Sequence, residues 1–143
     1  MNHSTPYRPM KPNHLLTVAS LVTLVLIMCH LTDDVLLQAE GSVKYAIPVV
    51  IFAVWLYGTL MLSDRVAGYV IMLLGGLVAA GMIVVHSTGG VVHQTGGFFF
   101  VWTMFALSAT GWFMVILSVR GLWLRFRARR SRLPAAEHGA RPV

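Results

Sequence analysis

Four apolar runs dominate this chain: Leu15 to Leu31, Tyr45 to Leu62, Ala67 to Val85 and Phe98 to Val119. None of them contains Asp, Glu, Lys or Arg. A helix needs roughly 20 apolar residues to cross the ~30 Å hydrocarbon core of a bilayer. Helices and closed barrels alone satisfy their backbone polar groups there. The spacing therefore predicts an all-α polytopic membrane protein, a four-transmembrane-helix bundle. Composition agrees: 57% of the 143 residues are hydrophobic, 11% are charged and the mean hydropathy is +0.73, against about a quarter charged in soluble domains. One unit is expected over residues 1–132, followed by a disordered cytoplasmic tail at 133–143.

Local signals refine the spans. Pro12-Asn13 supplies a start for the first, and Pro48 falls in the first turn of the second, where its missing N–H does no harm. Gly75, Gly76, Ala79, Ala80 and Gly81 give the third an excess of small residues, which lets a neighbour approach closely, within the bundle or between protomers. The link Ser63-Asp64-Arg65-Val66 is short enough to make the second and third helices an antiparallel hairpin.

Orientation follows from Lys and Arg, which are retained on the cytoplasmic side. Arg8, Lys11, Arg65, Arg120, Arg125, Arg127, Arg129, Arg130, Arg132 and Arg141 share one side, and the other has only Lys44, with Asp33, Asp34 and Glu40. Both termini are expected to be cytoplasmic, in a cell inner (plasma) membrane. The first span has the basic lead of a signal peptide, but Met28 before the single cysteine, Cys29, is too large for a lipoprotein cleavage site. An uncleaved helix is expected.

The net charge of +6 does not imply nucleic acid, because so many of its arginines cluster beside the last span. In GLWLRFRARRSR, residues 121–132, Trp123 and Phe126 sit among arginines at the expected headgroup level. Anionic lipids are the expected partners, through Arg125, Arg127, Arg129, Arg130 and Arg132. The segment reads as a helical extension ended by Pro134.

The candidate site lies at the opposite side. The first and third helices run in the same direction, so His30 and His86, each near the end of its span, reach a similar depth. Asp33 and Asp34 follow at i+3 and i+4 from His30 and share its face if the helix continues; otherwise they cap a short segment, 35–39. His93 lies in the other outer link, within HSTGGVVHQTGG, which repeats H-x-T-G-G. Its glycines suit tight turns. Imidazole and carboxylate ligands suit a divalent transition metal, Zn or Cu. The expected ligands are His30, His86 and Asp33 or Asp34, with His93 closing the site or carrying protons. Met28 and Met82 make a soft copper(I) site a further option.

The functional reading at this level is a small, non-enzymatic accessory or oligomeric membrane component that binds such a metal. Three alternatives use the same residues: a proton or ion conductor, a metal-dependent membrane enzyme, and b-type haem held between His30 and His86. No nucleophile with an adjacent base, phosphate loop or dinucleotide fingerprint is present. Phe98 to Phe113 packs phenylalanines and tryptophans densely, which predicts a packed helix face or an apolar groove.

Overall fold

The structure, a computed structural model, describes residues 13–37, 46–88 and 97–130, with side chains from 13–32, 47–86 and 97–130. It is all-helical over these residues: α1 is His14–Leu37, α2 Ala46–Met61, α3 Val66–Thr88 and α4 Phe98–Arg130. Three of the four, α1, α3 and α4, are long and apolar enough to cross a membrane. Over the described residues α2 has 16 residues, about 24 Å at 1.5 Å per residue.

Helix ends follow the local signals. The Asn13 carbonyl accepts the Thr17 N–H at 3.1 Å, and Pro48 is the third residue of α2. Between α2 and α3 the chain reverses in a tight turn, in which the Arg65 N–H donates to the Leu62 carbonyl at 2.8 Å. The resulting bundle has a histidine end, where α1 and α3 finish and α2 and α4 begin. At its arginine end α4 runs on without interruption to Arg130. The α1 backbone continues through Asp33 and Asp34 to Leu37, so no helix start falls at the two aspartates; residues 38 and 39 of the expected segment lie outside the described residues.

Small polar side chains share the interior with an apolar core that includes Leu16, Trp55, Met72, Leu107 and Met114, and the outside is apolar. Ser20, Thr23, His30, Thr59, Thr103, Ser108 and Ser118 are buried, while Leu15, Val25, Ile47, Val50, Met61, Leu74 and Val84 are among many large apolar side chains left exposed. In water that arrangement would be costly. Lipid tails are as apolar as leucine, so a bilayer favours it. Interhelical contact then relies on close packing and hydrogen bonds.

Small residues provide the packing. A Cβ built on Gly111 of α4 would lie 2.5 Å from the Ala80 backbone nitrogen and 2.7 Å from the Gly76 carbonyl oxygen of α3. The two backbones touch there, and Ser108 donates to the Ala80 carbonyl at 3.1 Å. On the other side of α3, the Trp55 indole of α2 lies against Gly75. Trp55 Nε1–H donates to Ser20 Oγ at 2.9 Å, and Thr59 Oγ1 donates to the Trp55 carbonyl at 2.9 Å. Ser20 therefore donates its own proton to Thr59, 2.7 Å away, which ties α1 to α2.

The aromatic run of α4 departs from the expected packed face. Phe98, Phe99, Trp102, Phe105, Trp112 and Phe113 are exposed and only Phe100 of that run is buried, while Thr103, Met104, Leu107, Ser108, Gly111 and Met114 face the bundle. Bulk is expelled because a glycine-mediated contact leaves no room for rings, and lipid accepts them at no cost.

Gly111→Ala must separate α3 and α4 and should lower stability by about 1–3 kcal/mol. Gly81→Ala, whose Cβ meets nothing within 4 Å, should be neutral or gain up to about 1 kcal/mol of helix propensity. Thermal unfolding in detergent, followed by helical circular dichroism, checks both; equal effects would mean the glycine contact is not specific.

Candidate functional site

Register delivers the site. With α3 and α4 locked at Gly76, Ala80 and Gly111, the start of α4 comes level with the last turn of α3 and with His30 of α1. Three rings meet there. The His30 and His86 ring centres are 5.0 Å apart with planes at 79°, and Phe100 of α4 stacks 4.7 Å from His30 and 5.5 Å from His86. His30 is fully buried and His86 partly so.

Hydrogen bonds fix how the imidazoles present themselves. His86 Nδ1 is 3.0 Å from the Met82 carbonyl oxygen, one turn back along α3. A carbonyl only accepts, so this nitrogen carries the proton and Nε2 the lone pair. Thr103 Oγ1 donates to the Phe100 carbonyl at 2.9 Å, which directs its lone pairs toward His30 Nδ1 at 3.4 Å. His30 accordingly matches the same tautomer through a longer hydrogen bond, with the lone pair on Nε2. Imidazoles tied through Nδ1–H to a carbonyl or hydroxyl are oriented as metal-ligating histidines usually are.

The remaining predicted residues divide plainly. Asp33 and Asp34 lie on the α1 backbone one turn beyond His30, at helical i+3 and i+4, but their side chains are outside the described set. His93 and Glu40 lie outside the described residues altogether. Among the described residues no three His, Cys, Asp or Glu come together in a group able to hold a metal ion. Met28 is largely exposed. Met82 lines an apolar cleft of about 140 Å³ between α1, α2 and α3, together with Ile27, Leu31, Phe52, Trp55 and Val78.

Phe100 and Thr103 are the site residues that sequence reasoning missed. Both lie within the apolar run of α4, and their pairing with the histidines depends on the antiparallel register of α1 and α4. No family model, curated protein or solved structure matches the chain.

Thr103→Val keeps the shape but removes the acceptor facing His30. It should cost about 1–3 kcal/mol in thermal unfolding, the penalty for a buried donor left without a partner. Thr103→Ser should recover most of that loss. Equal stability of the Val and Ser variants would show that the 3.4 Å contact contributes nothing.

Proposed function

We propose that the chain is a small integral membrane component that binds a divalent transition metal, Zn or Cu, at its histidine end. His30 and His86 supply two imidazole ligands through Nε2, and Asp33, Asp34 or His93 completes the set. The single observation that carries this reading is the 5.0 Å approach of two imidazoles from different helices, both held by their Nδ1 side. A metal bonded to Nε2 at about 2.0–2.1 Å sits roughly 3.2 Å from each ring centre, so a tetrahedral angle separates the centres by about 5.2 Å. The observed 5.0 Å spacing leaves room for an ion bridged in that way. Two axial imidazoles across a haem would stand about 6.4 Å apart on the same bond lengths, and Phe100 packs against both rings, so the pair favours a small ion over haem.

A conductor is less well supported. Leu16, Met72, Leu107 and Met114 are completely buried along the bundle interior. Thr23, Thr59 and Thr103 donate to backbone carbonyls, and Ser20, Thr59 and Trp55 bond one another. These groups hold the helices rather than a file of water. The placement of every Lys and Arg except Lys44 on one side supports cytoplasmic termini. On that topology the histidine end faces outward, where it meets metal from outside the cell or a partner's exposed domain.

Metal content and visible absorption of the protein, purified in detergent without chelator, test the reading. Near-stoichiometric metal is expected in the parent chain, with affinity weakened at least about 100-fold in His30→Ala and in His86→Ala. Asp33→Asn, Asp34→Asn and His93→Ala then identify the third ligand by the same measurement. A Soret band would replace the ion by haem. No metal and no colour after loading with zinc or copper would overturn the proposal.

A further inference from the structure

The arginine end of α4 carries a surface that neither the helix packing nor the histidine pair uses. Val115, Ile116 and Val119 floor a shallow depression of about 490 Å³, and Arg120 and Trp123 close one end of it. Ile116, Val119, Arg120 and Trp123 are exposed. Positions 116, 120, 123 and 127 recur at helical spacing and form one face. The Arg127 guanidinium lies over the Trp123 ring, 5.3 Å from its centre, on this same face. Arg125 belongs to another face, where it covers Tyr69 of α3 at 4.7 Å, so the five arginines expected to meet lipid are not equivalent.

Depth sets the order of chemistry along this face. About 20 residues of helix cover the ~30 Å hydrocarbon layer, and counting from Phe98 places Val115 to Val119 at its edge. Arg120 and Trp123 follow at the headgroup level, and the Arg127 side chain reaches back toward it over the Trp123 ring. Apolar floor, then guanidinium, then a second guanidinium stacked on tryptophan is the order of acyl chain and phosphate in a phospholipid. Guanidinium groups match phosphate oxygens in a planar, two-pronged fashion.

We propose that this face binds one anionic phospholipid, with an acyl chain in the Val115, Ile116 and Val119 depression and its phosphate between Arg120 and Arg127. The apolar floor selects a lipid over free phosphate. The two cations select a headgroup without a positive charge of its own, since a choline would stand beside guanidinium. This site is independent of the metal reading and lies at the other end of the bundle.

Native mass spectrometry of the full chain in neutral detergent tests it, with dioleoylphosphatidylglycerol, dioleoylphosphatidylcholine and inorganic phosphate titrated separately. One phosphatidylglycerol adduct is expected, with no comparable adduct of the other two. Arg120→Gln should weaken it roughly tenfold, the scale of a lost hydrogen bond to a charged group. Ile116→Trp, which fills the depression and leaves every arginine in place, should weaken it to a similar degree. Arg129→Gln, which removes the same charge elsewhere, should stay within about twofold. Equal loss in the Arg120 and Arg129 variants would reduce the site to diffuse charge. Equal binding of phosphatidylcholine or of phosphate, or a lipid-independent dimer abolished by Ile116→Trp, would assign the face to another occupant and overturn the proposal.

Discussion

Backbone contact between α3 and α4 across Gly76, Ala80 and Gly111 governs the rest of the structure. In lipid, apolar side chains gain little by leaving hydrocarbon for protein, so helices associate through close packing and interhelical hydrogen bonds. Glycine at the crossing brings the two backbones together, and Ser108 seals the contact on the Ala80 carbonyl. A fixed crossing means a fixed register. Phe100 and Thr103 are carried to the level of His86, and α1 docks against them through His30. Displacing α4 by one turn, about 5.4 Å, would dismantle the ring cluster while leaving every helix intact.

How much of this was legible depended on which physical signal each feature leaves. Uncharged runs of membrane-spanning length announced the helices, and a parallel direction for α1 and α3 placed His30 and His86 at one level. The small residues of α3 announced a close contact but not its partner, since Gly75 meets Trp55 while Gly76 and Ala80 meet Gly111. Facing was the hardest to read. A soluble helix reveals its buried side by hydrophobic periodicity, whereas here apolar residues surround every helix. The aromatic run of α4 therefore looked like a packed face although all of its rings but Phe100 are exposed.

The interior sets polar groups among its apolar core. Apart from Ser118, its buried hydroxyls bond backbone carbonyls about one turn back or a neighbour on another helix, and each such bond contributes modestly, about 0.6 kcal/mol on average in membrane bundles. The network of Ser20, Trp55 and Thr59 ties the short α2 to α1, Trp55 and Gly58 pack it on Gly75 and Ile71 of α3, and its outer surface of Ile47, Val50, Val54 and Leu60 is left exposed. Buried hydroxyls thus mark contacts, while bulky apolar residues occupy both the core and the surface.

His30 stands apart from the other buried polar groups. A serine or threonine can satisfy itself on its own helix, as Thr23 does on the Ala19 carbonyl, but the imidazole brings two nitrogens into a fully buried position and takes its Nδ1 partner from another helix. A leucine would fill much of that space with no hydrogen-bonding requirement, and burying polar groups costs free energy unless they are paired. What sets this position apart is a second imidazole 5.0 Å away on another helix. The lone pairs that Thr103 and the Met82 carbonyl direct onto Nε2 are the property that leucine lacks, which is why the functional proposal rests on this pair.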